Sequence, residues 1–146
     1  MSFFQSIGEA FRNYFNFHGR ACRSEFWYFQ LFWLIGFFVF LMIDNMIQVS
    51  HGTTYSGRRI EPGPGPLALL FWLILLIPDL ALSVRRLHDI DKSGWWLLLG
   101  FVPFGGLVLL FWSVSEGTGG FNRFGAPRIG LGLAPDATVV AADTSG

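Results

Sequence analysis

Side chains that could do chemistry are concentrated in residues 85–92. This segment contains Arg85, Arg86, His88, Asp89, Asp91 and Lys92. It lies between two apolar runs, because residues 67–84 are interrupted only by Asp79 and Ser83, and residues 95–114 carry no charge. A dense polar segment between two apolar segments of membrane-spanning length is expected at a bilayer surface.

Neither a metal site nor a catalytic site is predicted from this segment. His88, Asp89 and Asp91 offer three ligands within four positions, but no second histidine is near them and a metal site needs a further ligand. His88 and Asp89 could act on a lipid-linked substrate, yet the spacing places no serine or cysteine nucleophile beside them. We therefore assign no catalytic residue and expect no metal and no cofactor.

Binding of an anion is the interpretation that the arginines favour. Arg20 and Arg23 precede the first apolar run, next to Glu25. Arginine's planar fork suits a phosphate or a carboxylate, whereas the alternative is a set of membrane anchors that reach lipid phosphates. The candidate binding residues are Arg20, Arg23, Glu25, Gln30, Asp79, Arg85, Arg86, His88, Asp89 and Asp91, with Asn122 and Arg123 as a secondary motif.

The composition is that of a membrane protein. The 146 residues are 52% hydrophobic and 14% charged, where about 25% charged is usual for soluble domains. Ten basic residues balance ten acidic ones, so no excess of positive charge points to nucleic acid. The single cysteine, Cys22, excludes an internal disulfide.

The elements that would position these side chains are helices. Residues 3–16 carry phenylalanines at steps of three and four and are predicted to form an amphipathic interfacial helix. Residues 26–49, 67–84 and 95–114 each have about the 20-residue length that a span needs. The sequence predicts an all-α membrane protein with an N-terminal amphipathic interfacial helix plus three transmembrane helices. Residues 1–127 would form a single integral-membrane domain, and residues 128–146 a disordered tail.

The distribution of basic residues predicts the orientation. With three spans, six basic residues lie on the side of the N-terminus and four on the other, which puts the N-terminus in the cytoplasm and the C-terminus opposite. Pro103, Gly105 and Gly106 interrupt the third run, so a re-entrant hairpin remains an alternative. With a hairpin, eight basic residues would lie on the side of the N-terminus and two on the other.

Asp79 is predicted to face the interior of the protein. It lies six positions before Arg85, and Gln30 lies five positions after Glu25. At 1.5 Å per residue both should lie about 7–9 Å inside the same surface. An acid that faces lipid at this depth costs about 2–3 kcal/mol. We therefore expect its carboxylate to meet Gln30 or an arginine and to support the arginine surface from below.

Four motifs in order resemble the domain of unknown function 805 family of small bacterial inner-membrane proteins. They lie in residues 17–27, 85–89, 93–96 and 117–125, and the resemblance runs from about residue 10 to residue 127. It implies a multi-pass protein of the bacterial inner membrane and no established activity. Gly125, Ala126 and Pro127 stand where the family tends to have an acidic residue before the proline, so a role for that acid does not carry over.

The function expected from the sequence is a non-catalytic module that binds an anionic lipid headgroup or a partner membrane protein at the cytoplasmic surface. One alternative is a membrane-surface enzyme that uses His88 and Asp89. The other is a subunit of an oligomeric transporter or channel, suggested by Asp44 and Asp79 within apolar runs. The expected partners are membrane lipids and further copies of the chain, and no nucleic acid.

Overall fold

The computed structural model describes residues 2–50 and 64–126, and the backbone of residues 128–129 and 132–133. Most of the predicted loop over residues 50–66 and most of the predicted tail lie outside these residues. The described elements are α1 (Phe3–Arg12), α2 (Arg23–Ser50), α3 (Pro66–Asp89), a 3₁₀ helix (Gly94–Phe101), α4 (Gly105–Val114), β1 (Arg128–Ile129) and β2 (Gly132–Leu133). The two short strands pair antiparallel, within the segment predicted as a tail.

α1 begins with a capping box. The Ser2 amide donates to the Gln5 side chain at 2.9 Å, and the Gln5 amide donates to the Ser2 hydroxyl at 3.4 Å. The helix ends at Arg12 rather than at residue 16, because the backbone leaves the helical conformation at Asn13, with φ of −102° and ψ of 31°, and the Asn13 side chain donates to the Glu9 carbonyl at 2.9 Å. This local competition with helical bonding is typical of asparagine.

The two faces of α1 differ in the size of their side chains. Ser6 and Ala10 are fully buried, whereas Phe4, Phe11 and Phe15 are exposed. The small face therefore packs on the other helices, and the phenylalanine face points away from the protein. That arrangement suits a headgroup boundary, and the interfacial position of α1 stays a prediction.

α2 and α3 form the centre of the fold and are the two described helices that are long and apolar enough to cross a membrane. Phe29, Leu75 and Leu82 are buried between them and α1. A Cβ atom at Gly36 would collide with the Phe71 ring, so the glycine permits a close approach of the two helices. The predicted first and second spans are confirmed as helices of spanning length.

Asp44 has a structural role at the start of α3. The N-cap residue of that helix, Gly65, has no side chain to accept a hydrogen bond. Asp44 of α2 accepts instead from the amides of Leu67 at 3.2 Å and Ala68 at 2.7 Å. The carboxylate of one helix thus caps the N-terminus of the next, where a negative charge is also favoured by the helix dipole.

Pro78 leaves one carbonyl of α3 without its helical partner, and Tyr14 replaces that partner. A residue with an amide at position 78 would donate to the Ile74 carbonyl, but proline has no N–H. The Tyr14 hydroxyl, from the turn after α1, donates to this carbonyl. The bond matters because a bare backbone carbonyl is costly in hydrocarbon.

We expect Tyr14→Phe to lower the free energy of unfolding in detergent micelles by about 1 kcal/mol, the usual net value of such a bond. Tyr28→Phe is the matched control, since among the described residues the Tyr28 hydroxyl has no hydrogen-bond partner. In a Pro78→Ala background the Ile74 carbonyl regains an amide partner, so Tyr14→Phe should cost less there. An equal cost in both backgrounds would contradict this account of Tyr14.

The predicted third span is not confirmed, because residues 94–114 form two short helices that fold back on one another. The 3₁₀ helix and α4 are each too short to cross a bilayer and pack against one another. Trp96 and Trp112, near the two ends of the run, are in edge-to-face contact with their ring centroids 5.5 Å apart. We call residues 94–114 the apolar hairpin.

The physical reason for the hairpin lies in its turn. Phe104 adopts a left-handed conformation with φ of 65°, which reverses the chain just after Pro103. A Cβ atom at Gly105 would collide with the Leu99 carbonyl, so only glycine permits the close return. The hairpin brings residues 115–125 to the face that holds Arg20, whereas a third span would have placed them on the opposite side.

Candidate functional site

The site is built around one carboxylate, that of Asp89 at the end of α3. Asp89 pairs with Arg20, whose Nη2 lies 2.8 Å from Oδ1, and with Arg86 through Oδ2. The Arg20 and Arg86 side chains are each 1% exposed and that of Asp89 is 8% exposed. A single acid therefore neutralises two buried guanidinium groups.

A second buried pair lies beside the first. Arg85 Nη1 lies 3.1 Å from Glu25 Oε1, and both side chains are almost completely inaccessible. Glu25 is in the first turn of α2 and Arg85 in the last turns of α3, so the pair joins these helix ends. We call Arg20, Glu25, Arg85, Arg86 and Asp89 the arginine–acid cluster.

Arg20 also binds residues 116–125, which follow the hairpin and which we call the glycine-rich segment. Its Nη1 donates to the Gly120 carbonyl at 2.7 Å and to the Gly125 carbonyl at 3.3 Å, and its Nη2 donates to the Thr118 carbonyl. Because these carbonyls come from one loop, the fork of Arg20 holds the loop in a single conformation. Arg86 makes a similar contact through Nε to the Ser113 carbonyl at 3.2 Å.

The glycine-rich segment in turn caps the end of α3. The Thr118 amide donates to the Asp89 carbonyl at 2.8 Å, and the Asn122 side chain donates to the His88 carbonyl at 2.9 Å. The His88 carbonyl also accepts from the Asp91 amide at 3.1 Å, so the segment adds donors to the last carbonyls of the helix. A Cβ atom at Gly117 would collide with the Asp89 carboxylate, so this position requires glycine.

The remaining cations of the site are accessible. Arg23 is bonded to the Ser115 carbonyl at 3.0 Å and is 43% exposed. Arg123 pairs with Asp91 at 3.1 Å, with side chains that are 61% and 48% exposed. Such exposed pairs contribute little and exchange readily with other anions. Arg23 and Arg123 are therefore the predicted site arginines that a ligand could reach.

His88 lies at the edge of a cavity rather than beside its predicted acid. Its Nδ1 donates to the Gly19 carbonyl at 3.1 Å, since a carbonyl only accepts. Its ring stacks on Phe124, with centroids 3.8 Å apart and planes 4° from parallel. The Asp89 carboxylate is occupied by two arginines, so the predicted use of His88 and Asp89 as a catalytic pair has no geometric support.

The cavity beside His88 has a volume of about 720 Å³, and we call it the surface cavity. Its polar lining comprises His18, His88, Ser93 and Arg123, and none of the acidic side chains in the described residues lines it. Its apolar wall includes Trp95, Leu97 and Leu98 of the hairpin. The Arg123 guanidinium and the two imidazoles therefore face an apolar wall at the point where the chain enters the hairpin.

Gln30 and Asp79 meet as predicted, because Gln30 Nε2 donates to Asp79 Oδ1 at 2.6 Å. The carboxylate is thus turned inward, and its partner is the amide rather than an arginine. The structure brings together most of the predicted residues, but in three separate groups: the arginine–acid cluster, the Gln30–Asp79 pair below it, and the exposed Asp91–Arg123 pair.

Several residues of the site were not singled out from the sequence. Gly117, Thr118 and Phe124 belong to the fourth family motif but were not among the candidate binding residues, although they hold Asp89 and His88 in place. The order of the segments along the chain could have indicated this role. A glycine-rich segment directly after an apolar run reaches the charged surface only if that run turns back.

Comparisons with known proteins agree with the membrane character of the fold. A family model described as "Protein of unknown function (DUF805)" matches residues 14–126. The chain is similar to inner membrane protein YhaI of Escherichia coli (strain K12), with 45% identity over 121 residues that cover 82% of this chain and 92% of the relative. It is also similar to inner membrane protein YhaH of the same strain, with 38% identity over 115 residues, or 78% and 88%. No solved structure matches the chain.

Proposed function

The chain belongs to the DUF805 family of proteins of unknown function, and from this premise we propose that it is a non-catalytic membrane module that binds one anionic phospholipid headgroup in the surface cavity. The supporting observation is the composition of that cavity, in which Arg123 and His18 face a wall formed by the hairpin. The expected activity is recognition rather than turnover.

The location required by this proposal is established. The relatives are inner membrane proteins, and the described residues include two helices long enough to cross a bilayer. The protein is therefore a multi-pass protein of the bacterial inner membrane, as expected from the sequence. Its surface cavity has bilayer lipids as its immediate neighbours.

The arginine–acid cluster is better suited to hold the site together than to bind the ligand. Arg20, Arg85 and Arg86 are each at most 2% exposed and already pair with acids. A phosphate that displaced these acids would leave buried carboxylates unpaired, at a cost of several kcal/mol. The ligand-binding role predicted for these arginines therefore moves, in this proposal, to the exposed cations.

The surface cavity matches the two ends of a phospholipid. Arg123 would donate to the phosphate after its Nε releases the Asp91 carboxylate, since an exposed ion pair of this kind is worth at most about 1 kcal/mol. Its Nη2 would keep the hydrogen bond to the Asp91 carbonyl at 2.7 Å. Trp95, which is 79% exposed, marks the level of the membrane interface. The acyl chains would then follow the apolar wall of Leu97 and Leu98 into the bilayer.

The test uses the full chain in lipid nanodiscs of phosphatidylcholine with a minority of phosphatidylglycerol, followed by native mass spectrometry. We expect the protein to retain one phosphatidylglycerol, and Arg123→Gln to reduce that retention about tenfold, as loss of a charge-assisted bond predicts. Soluble glycerol phosphate in excess should not displace the lipid, because it has no acyl chain to contact the hairpin.

Arg12→Gln is the matched control, since Arg12 is also an exposed arginine with one acidic neighbour, Glu9, at 3.6 Å. It should leave lipid retention unchanged. Equal retention by Arg123→Gln and the wild type would refute the proposal. A stoichiometric protein that co-purifies from native membranes and is lost with Arg123→Gln would assign the cavity to a partner protein instead.

A further inference from the structure

A second cavity lies at membrane depth, between α2, α3 and the apolar hairpin. It has a volume of about 320 Å³, and we call it the membrane cavity. This volume is at the lower end of the roughly 300–1,000 Å³ that small-molecule sites occupy. Its lining includes Phe26, Trp27, Leu87, Leu97, Leu109 and Leu110. The cavity is therefore largely apolar, and it is separate from the surface cavity except for Leu97, which lines both.

Three polar side chains line this apolar cavity, and their hydrogen-bonding capacity is not exhausted. Gln30 donates to Asp79, which leaves its carbonyl oxygen as an acceptor. The Ser113 hydroxyl donates to the Leu109 carbonyl at 2.8 Å and retains its lone pairs. Within the described residues, the Ser83 hydroxyl has no hydrogen-bond partner. In hydrocarbon such groups favour a ligand that satisfies them.

The depth of these groups indicates which part of a lipid they would meet. Gln30 lies five residues inside Glu25, and Ser83 lies two residues inside Arg85, so at 1.5 Å per residue they lie about 7.5 and 3 Å below the arginine–acid cluster. That level corresponds to the boundary between headgroups and acyl chains. Among the residues that the structure describes, no cation lines the membrane cavity, so a charged headgroup would remain uncompensated there.

We propose that the membrane cavity binds an uncharged lipid with a free hydroxyl group, of the diacylglycerol class. The ligand hydroxyl would donate to the Gln30 carbonyl oxygen and accept from the Ser83 hydroxyl. Trp27 and Leu110 line the cavity and are exposed on the apolar surface of the protein. The acyl chains therefore continue between them into the bilayer.

The proposal is tested by native mass spectrometry of the full chain in phosphatidylcholine nanodiscs that contain dioleoylglycerol or its O-methyl ether. The wild type should retain dioleoylglycerol. It should retain about fivefold less of the O-methyl ether, because the ether has no hydroxyl to donate and one neutral hydrogen bond is worth about that factor. Ser83→Ala should reduce retention of dioleoylglycerol by a similar factor. Equal retention of alcohol and ether would overturn the proposal.

Filling the cavity gives an independent readout. A Cβ atom at Gly106 has no neighbour within 4 Å, and Gly106 lines the cavity. Gly106→Leu should abolish retention of dioleoylglycerol and leave phosphatidylglycerol in the surface cavity. Leu107→Phe enlarges the adjacent exposed residue of α4, and it should leave the retention of both dioleoylglycerol and phosphatidylglycerol unchanged. Retention of dioleoylglycerol by a folded Gly106→Leu variant would overturn the proposal and leave the proposed function intact.

Discussion

Asp89→Asn should destabilise the protein more than any other single substitution at the charged surface, with a loss of about 3–5 kcal/mol in the free energy of unfolding. This is the usual cost of removing one partner from a buried ion pair. Here one carboxylate serves two guanidinium groups, those of Arg20 and Arg86, each in a side chain that is 1% exposed. Asparagine keeps the shape of the side chain, so the loss reports charge rather than volume. The measurement is unfolding in detergent micelles, together with the protein level in membranes.

Asp91→Asn is the matched control for this prediction. Asp91 is two residues away and pairs with one arginine, Arg123, but both side chains are about half exposed. An exposed pair contributes at most about 1 kcal/mol. Similar losses for Asp89→Asn and Asp91→Asn would mean that the arginine–acid cluster is an ordinary set of surface charges.

Arg20→Lys should release the glycine-rich segment although it conserves the charge. A lysine can replace the contact with Asp89, but one ammonium group cannot also reach the carbonyls of Thr118, Gly120 and Gly125 that the guanidinium bonds. We expect a loss of about 2–4 kcal/mol from the unpaired carbonyls. Hydrogen exchange in residues 116–125, read by mass spectrometry, should accelerate about 30- to 1,000-fold, since every 1.4 kcal/mol is a factor of ten.

Arg23→Lys provides the comparison for Arg20→Lys. Arg23 also bonds a carbonyl after the hairpin, that of Ser115, but its side chain is 43% exposed, and water can replace the bond. Exchange in residues 116–125 should then stay near the wild-type rate. Unchanged exchange in Arg20→Lys would show that the segment is held by other contacts.

The parts of the fold that sequence reasoning predicted are those set by local or one-dimensional rules. The N-terminal helix follows from the spacing of its phenylalanines, and the two long helices follow from apolar length. The contact of Gln30 with Asp79 was predicted because two helices that start from one surface place residues of equal depth side by side. The helical rise per residue was sufficient to estimate the depth of both side chains.

The parts that sequence reasoning missed depend on contacts between distant segments. Residues 95–114 have the length of a span, and Pro103, Gly105 and Gly106 made a hairpin only an alternative. The left-handed conformation of Phe104 and the close approach of Gly105 to the Leu99 carbonyl favour the hairpin in the structure. The pairing of Arg20 and Arg86 with a single acid could not be derived either, because several acids were at similar depth. The role of the glycine-rich segment was hidden by the same error, since a third span would have placed it on the opposite surface.

The return of the chain through the apolar hairpin is the central claim, and cysteine accessibility tests it most directly. Single cysteines at positions 58, 92 and 121, in a Cys22→Ser background, are labelled with a membrane-impermeant maleimide in oriented vesicles. Position 58 lies between α2 and α3 and reports the side opposite to Lys92, whereas Phe121 is exposed beside the arginine–acid cluster. The structure predicts that 92 and 121 are labelled from the same side and 58 from the other. Labelling of 121 together with 58 would contradict the hairpin and restore a third crossing.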